Sequence, residues 1–165
     1  MKSSISLILG LIAGASLSAA TAIPSSNAGE VTTMHANGSF DVTLETREPD
    51  NAQARTANIV RMSIEKKYRG ALEASSSGEM LATQDDRESG TYVAIERVTG
   101  SLQGHTGSFT LVHSAVMRRG VPEAWSVSVV PDSGTDQLTE LSGTMTITAK
   151  DGDHFYDFEY VLPES

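Results

Sequence analysis

Residues 92–114 read YVAIERVTGSLQGHTGSFTLVHS, and this stretch decides the fold class. Strand-forming residues flank a central segment that contains three glycines. Alternation with a period of two is typical of strands with one buried face, and glycine accepts the backbone angles of tight turns. The stretch therefore predicts two strands joined by a turn. The alternation also places His113 on the face of Phe109 and Leu111, which is the expected interior.

Five further segments show the same alternation, a sixth is a weaker strand of small residues (71–82), and turn-forming residues separate them. No segment has a convincing helical period. Eight strands at fairly regular spacing predict an all-β domain, either a closed up-and-down barrel or a sandwich. An eight-stranded barrel is just wide enough to be filled by side chains or to hold one small ligand. The six segments are residues 36–46, 60–68, 71–82, 124–130, 141–149 and 154–162.

The first residues have the composition of a secretory signal peptide. Lys2 precedes an apolar run rich in Gly, Ala and Ser, and the run ends in the small residues Ala20-Thr21-Ala22. We therefore predict a signal peptide over residues 1–22, a flexible leader over 23–35 and a barrel domain over 36–163. The protein is expected to be exported, either to the periplasm or as a secreted protein, with no membrane span after cleavage.

Charge and cysteine content exclude several functions. The chain carries a formal net charge of −9 and has no basic patch, so it is expected to be repelled by phosphate backbones and anionic lipids. Nucleic-acid binding is therefore not expected. The chain has no cysteine, which excludes disulfides and thiolate chemistry. Its stability must come from core packing.

One lysine falls on a face that should be buried. Lys66 alternates with Tyr68 and other residues of an apolar strand face. A lysine there must reach the end of the barrel or pair with a buried carboxylate, for which Glu79 and Glu96 are the candidates. Because Glu96 and Arg97 are adjacent, one of the two is expected to face the interior. The pair is either a plain ion pair or an acid–base pair with shifted pKa values in a cavity.

His113 has two interpretations. A buried imidazole needs hydrogen-bond partners, so it can be a structural histidine bonded to a neighbouring strand. It can also line a cavity and exchange a proton, because histidine changes charge near neutral pH. The candidate ligand-binding residues are accordingly Lys66, Glu79, Glu96 and His113.

Other site motifs are absent. Gly100, Gly104 and Gly107 resemble a phosphate-binding loop, but a strand follows them where such a loop needs a helix. The four histidines show no paired metal-ligand spacing, and no Gly-x-Ser-x-Gly nucleophile motif occurs. No metal or other cofactor is predicted.

The sequence resembles a known family over residues 36–163. The segments RMSIEKKYRGALEASSSGEMLA, YVAIERVTGSLQGHTGSFTLVHS, VVPDSGTDQL, LSGTMTI and HFYDFEYVLP follow in its order and spacing. This is the bacterial domain-of-unknown-function family 3224, whose members resemble allene oxide cyclase in fold. The resemblance implies a small antiparallel eight-stranded barrel and favours it over the sandwich. It implies no reaction and no catalytic residue.

Three functions remain open. The first is a binding module that takes a small, largely apolar molecule inside the barrel, steered by Lys66, Glu96 or His113. The second is an isomerase or cyclase that acts in the same cavity and moves a proton with one of these groups. The third is a packed structural barrel that acts through its surface or as a subunit of a homo-oligomer. In that case side chains such as Trp125, Phe109, Tyr156 and Phe158 should fill the interior.

Overall fold

The computed structural model describes residues 32–48, 51–84 and 88–163. These residues form a closed barrel in which all eight strands run antiparallel to their neighbours, so the predicted all-β barrel is confirmed and the sandwich is excluded. The predicted signal peptide and residues 23–31 of the predicted leader lie outside the described residues, and the first strand begins at Met34, within the last two residues of that leader. The strands are β1 (Met34–Arg47), β2 (Val60–Gly70), β3 (Leu72–Gln84), β4 (Gly90–Leu102), β5 (His105–Arg118), β6 (Val121–Val129), β7 (Ser142–Lys150) and β8 (Asp153–Val161).

Two short helical turns lie between strands. Helix α1 (Ala52–Thr56) joins β1 to β2, and a 3-10 turn (Asp136–Leu138) lies between β6 and β7. The side chain of Asn51 caps α1 by accepting a hydrogen bond from the backbone N–H of Ala54 at 2.8 Å. Periodicity could not predict a helix of five residues, because it completes little more than one turn.

The β4–β5 hairpin is built as the sequence predicts, although only one of its glycines forms the turn. Gln103 and Gly104 occupy the turn with φ angles of 48° and 93°, which suits a two-residue hairpin loop. Gly100 and Gly107 lie opposite each other within the ladder. A Cβ atom on Gly107 would lie 2.3 Å from the carbonyl oxygen of Thr135, so this glycine permits a close backbone approach.

Strand β4 has two apolar faces in the sequence, and the structure shows which of them is buried. Val93 and Ile95 are 53% and 63% exposed on the outer surface, whereas Ala94, Glu96 and Val98 are buried. The charged residue of the Glu96–Arg97 pair that faces the interior is therefore Glu96.

One end of the barrel, here called the floor, is closed by packed apolar side chains. Leu138 and Leu141, from the connection between β6 and β7, are buried beside Leu102. Above them, the rings of Phe109 and Phe158 stack with centroids 5.9 Å apart. The opposite end, here called the mouth, is where β2, β4 and β6 begin and where β3 and β5 end.

The seam between β6 and β7 is the weakest pairing in the barrel. These strands share one pair in register, Ser128 with Thr144, whereas β1 and β8 share seven. The connection between β6 and β7 bonds to β5 instead, with the N–H of Thr135 donating to the carbonyl of Ser108 at 2.9 Å. The two strands are therefore joined near the floor and share no further pair in register toward the mouth.

Candidate functional site

Glu96 lies at the centre of a buried polar cluster. Its side chain is fully buried, and both carboxylate oxygens accept hydrogen bonds. Lys66 Nζ donates to Oε2 at 2.7 Å, and the hydroxyl of Tyr68 donates to Oε1 at 2.6 Å. The acid is thus held by one cation and one neutral donor, which is the condition for keeping a charge inside a protein.

Small residues on β3 let Lys66 of β2 reach Glu96 of β4. Ser76 lies opposite Lys66 in the β2–β3 ladder, and Gly78 lies opposite Glu96 in the β3–β4 ladder. A Cβ atom on Gly78 would lie 2.1 Å from the carbonyl oxygen of Ile95, so β3 and β4 approach closely there. Lys66 Nζ also lies 4.9 Å from the centroid of the Phe40 ring, which adds a cation–π contact.

His113 is buried beside this cluster, as the alternation predicts, with 4% of its surface exposed. Its Nε2 atom lies 3.3 Å from Glu96 Oε2, but their orientation does not make a hydrogen bond. The hydroxyl of Ser76 is also buried, and neither atom has a hydrogen-bond partner among the described residues. Nε2 of His113 therefore faces the Glu96 carboxylate inside the cluster.

The electrostatics of the cluster favour the ion-pair interpretation. Burial raises the pKa of Glu96, but the contacts with His113, Lys66 and Tyr68 outweigh it and lower the pKa to about 2. Burial and the neighbouring Glu96 carboxylate raise the pKa of the Tyr68 hydroxyl. At neutral pH Glu96 is therefore ionised and Tyr68 is a neutral donor. Glu96 can orient a neighbouring imidazole, but it cannot serve as a general acid.

The structure brings three of the four predicted site residues together. Lys66, Glu96 and His113 meet at the cluster, and the carboxylate partner of Lys66 is Glu96. Glu79 lies on the outer face of β3, where it accepts a hydrogen bond from Arg61 Nε at 2.8 Å. The short polar residues of β3 gave no reliable face assignment for Glu79.

Sequence reasoning missed two members of the cluster. Tyr68 was placed on the interior face, but its hydroxyl was not recognised as a donor to Glu96. Ser76 lies in a run of three serines, so no pattern in the sequence indicated that its side chain points into the barrel. Tyr68 could have been found from its spacing, because residues i and i+2 of a strand share a face and Lys66 is two residues away.

An apolar pocket of about 310 Å³ lies at the mouth, and we call it the mouth pocket. Its polar groups come from the side chains of Thr83, Glu88 and Thr91 and from the hydroxyl of Tyr92. In the β3–β4 and β4–β5 ladders Met80 lies opposite Ala94, which lies opposite His113. One row across the sheet therefore connects a pocket wall to the buried histidine. The apolar lining residues are Val60, Met62, Met80, Ala82, Tyr92 and Met117.

Trp125 does not belong to the packed interior. It is 46% exposed, whereas Val127 and Val129 on the same strand face are buried. Trp125 lies toward the mouth end of β6, opposite Ala115 in the β5–β6 ladder. Alternation assigns a strand face, but it does not tell how far along the barrel the core extends.

Within the described residues, no group of three or more His, Asp or Glu side chains is arranged to hold a metal ion. None of the helices in those ranges has the length and apolarity that crossing a membrane requires.

Comparisons with known proteins point to one family. The family model described as "Protein of unknown function (DUF3224)" matches residues 36–160. A crystal structure of a protein with unknown function from the DUF3224 family of Shewanella oneidensis MR-1 is 37% identical to the chain, with a TM-score of 0.73. The similarity covers 81% of this chain and 100% of that chain. No curated protein matches the chain. The resemblance to allene oxide cyclase stays a prediction.

Proposed function

The chain belongs to the DUF3224 family of proteins of unknown function, and from that premise we propose that it is an exported barrel that binds a small, largely apolar molecule in the mouth pocket. The proposal for export rests on the composition of residues 1–22. The proposal for binding rests on the contrast between the two ends of the barrel.

The single observation that carries the proposal is that the interior is packed at the floor and open at the mouth. Phe109, Phe158 and Leu138 fill the interior near the floor. At the mouth a pocket of about 310 Å³ remains, and most of its side chains are apolar. Concave, apolar sites of this size with a few polar groups are typical of small-molecule binding. Burial raises the pKa of Tyr92 on the pocket wall, which agrees with a partly water-excluded environment.

The polar cluster suggests how a ligand would be oriented. The row from Met80 through Ala94 to His113 places a polar residue close to the apolar wall. His113 lies outside the lining of the mouth pocket, but it is the next residue beyond Ala94 in this row, so a polar group of a ligand that reaches past Met80 would approach the polar cluster at His113. The proposed ligand therefore has an apolar body and one hydrogen-bonding group at its inner end.

An isomerase or cyclase acting in the same pocket is the second candidate function. The observation that favours it is the contact of His113 with an ionised carboxylate, at 3.3 Å. A carboxylate can fix the orientation of an imidazole, and an oriented imidazole suits proton transfer to or from a bound substrate. The packed structural barrel accounts for the floor but leaves the mouth pocket without a role.

Binding is tested by fluorescence titration with N-phenyl-1-naphthylamine, a neutral apolar dye that becomes fluorescent in an apolar site. The full chain is expected to give a saturable signal. Met80→Glu should weaken dye binding about tenfold or more, because it buries a charge in the pocket wall. Ile95→Glu is the matched control, because Ile95 is 63% exposed on the outer surface, and binding should stay within about twofold.

A second variant keeps the test independent of the added charge. Ala82→Phe fills the pocket with an apolar side chain and should also reduce dye binding, while circular dichroism confirms that the strands are retained. A dye signal that does not saturate, or an equal loss in the Met80 and Ile95 variants, would contradict the proposal. Native mass spectrometry of the protein from its producing cells then identifies any molecule that denaturation releases.

A further inference from the structure

Methionine is concentrated at one place in the fold. The chain has six methionines and no cysteine, so thioethers are its only sulfur groups. Three of the six line the mouth pocket, and none of these is fully buried. Met145 differs, because it lies in the core with 4% of its surface exposed. Met34 packs against the core near the floor, at the other end of the barrel. The three pocket methionines are Met62, Met80 and Met117.

The positions of these methionines follow from strand register. Met62 and Met80 lie directly opposite each other on β2 and β3, and Met117 lies near the end of β5. All three belong to interior faces at the level where the packed core has ended. Their side chains therefore line an open pocket that a small polar oxidant can enter.

We propose that Met62, Met80 and Met117 form an oxidation site that controls the polarity of the mouth pocket. A peroxide or hypochlorous acid supplies the oxygen. With hydrogen peroxide, the thioether sulfur gives an electron pair to one peroxide oxygen, the O–O bond breaks, and a sulfoxide and one water molecule form. Sulfur loses two electrons and the peroxide gains two. The reaction needs no metal and no second residue, and a methionine sulfoxide reductase reverses it.

The consequence concerns ligand binding, and this step rests on the proposed function. Oxidation converts a flexible apolar side chain into a polar one with a strong acceptor oxygen. The side-chain donors of the pocket lining are the hydroxyls of Thr83, Thr91 and Tyr92. The Thr91 hydroxyl already donates to the carbonyl of Ala115 at 2.7 Å, so three sulfoxide oxygens would outnumber the remaining donors once an apolar ligand excludes water. Binding an apolar molecule then leaves the sulfoxide oxygens unpaired, so oxidation should lower the affinity.

The modification itself is tested by peptide mapping of the full chain after hydrogen peroxide treatment. Peptides that contain Met62, Met80 and Met117 are expected to gain one oxygen atom per methionine early in the reaction. The Met145 peptide is the internal control and should gain oxygen much more slowly, because its sulfur is in the core. Oxidation of Met145 at the same rate as the pocket methionines would overturn the inference.

Its effect on binding is tested with N-phenyl-1-naphthylamine before and after oxidation. The affinity of the oxidised chain should fall about tenfold or more. In the triple variant Met62→Leu, Met80→Leu, Met117→Leu, peroxide should change the dye affinity by less than about twofold relative to the same variant before treatment, because leucine has no sulfur to oxidise. Met34→Leu is the matched control and should lose affinity on oxidation as the parent does.

The two proposals fail in different ways. If the unoxidised chain does not bind the dye, the proposed function is overturned together with the effect on ligand affinity. If the unoxidised chain binds the dye and fully oxidised Met62, Met80 and Met117 leave the affinity unchanged, the inference alone is overturned.

Discussion

Lys66 Nζ lies 2.7 Å from Glu96 Oε2, although strand β3 separates the strands that carry the two residues. The contact exists because β3 presents Ser76 and Gly78 where larger side chains would block it. Each charge is nearly inaccessible to water, so each depends on the other. A substitution of either residue, or of the small residues between them, should therefore destabilise the whole cluster.

Replacing Glu96 by Gln should destabilise the fold by about 3 kcal/mol, because it leaves the buried ammonium of Lys66 without its counter-charge. Urea unfolding followed by circular dichroism gives the free energy of unfolding. The double variant Lys66→Met, Glu96→Gln should lose less stability than the sum of the two single variants. Glu79→Gln is the matched control and should cost less than about 1 kcal/mol, since the Glu79 side chain is 54% exposed. Equal losses for Glu96 and Glu79 would contradict the prediction.

Acid should weaken the fold through Glu96. Its pKa is about 2 in the folded chain, against an ordinary value of 4.5. A carboxyl group with a lowered pKa contributes stability above its unfolded value, and that stability is lost as the pH falls through the folded value. The free energy of unfolding should therefore decline between about pH 5 and pH 2. Urea titrations across this range should show a smaller decline for Glu96→Gln than for the parent, and parallel curves would exclude Glu96 as the source.

Gly78→Ala should destabilise the chain by roughly 1–3 kcal/mol, because the added Cβ meets backbone that must move. The nearest atoms are the carbonyl oxygen of Ile95 at 2.1 Å and Cα of Glu96 at 2.8 Å. Thermal unfolding measures the effect. Ser77→Ala is the neighbouring control, since Ser77 is exposed on the outer face of the same strand and its loss should change little. A Gly78 variant as stable as the Ser77 variant would show that β3 and β4 can separate without cost.

Tyr156→Phe should cost about 1–3 kcal/mol, because the hydroxyl ties β8 to the turn between β2 and β3. It accepts a hydrogen bond from the backbone N–H of Leu72 at 2.8 Å and donates one to the carbonyl of Arg69 at 3.2 Å. Tyr160→Phe is the comparison, since its hydroxyl donates to the exposed side chain of Gln103. Urea unfolding should show a larger loss for Tyr156, and the reverse order would count against this role.

Alternation predicted seven of the eight strands clearly, because the barrel imposes one interior face on nearly every segment. Strand β3 was the weaker prediction, since its residues are small. It also placed Phe109, Leu111 and His113 correctly, since β5 alternates without interruption over these residues. It could not decide β4, where Val93 and Ile95 compete with Ala94 and other residues of the opposite face. Both faces are apolar there, and only the pairing with neighbouring strands shows which one is buried.

Part of the candidate site could also be predicted from the alternation of apolar and polar residues. Lys66 was identified because its charge interrupts an apolar strand face. Two residues, Glu79 and Glu96, were the candidates for its carboxylate partner. The choice between them depends on β3, whose small residues carry little pattern. The exposure of Trp125 depends on where the packed core ends along the barrel, which is a property of the assembled strands.

The single pair between β6 and β7 has a consequence for chain connectivity. Extensive pairing runs from β7 through β8 and β1 to β6, so β1 and β8 lie within the well-paired part of the barrel and its weakest joint lies between β6 and β7. Met34 and Tyr160 face each other in that interior ladder. A circular permutant opened in the β6–β7 connection, with β8 joined to β1 by a short loop, would turn the longest-range ladder into a hairpin. Its relative contact order would fall, and it should fold faster than the natural order of strands.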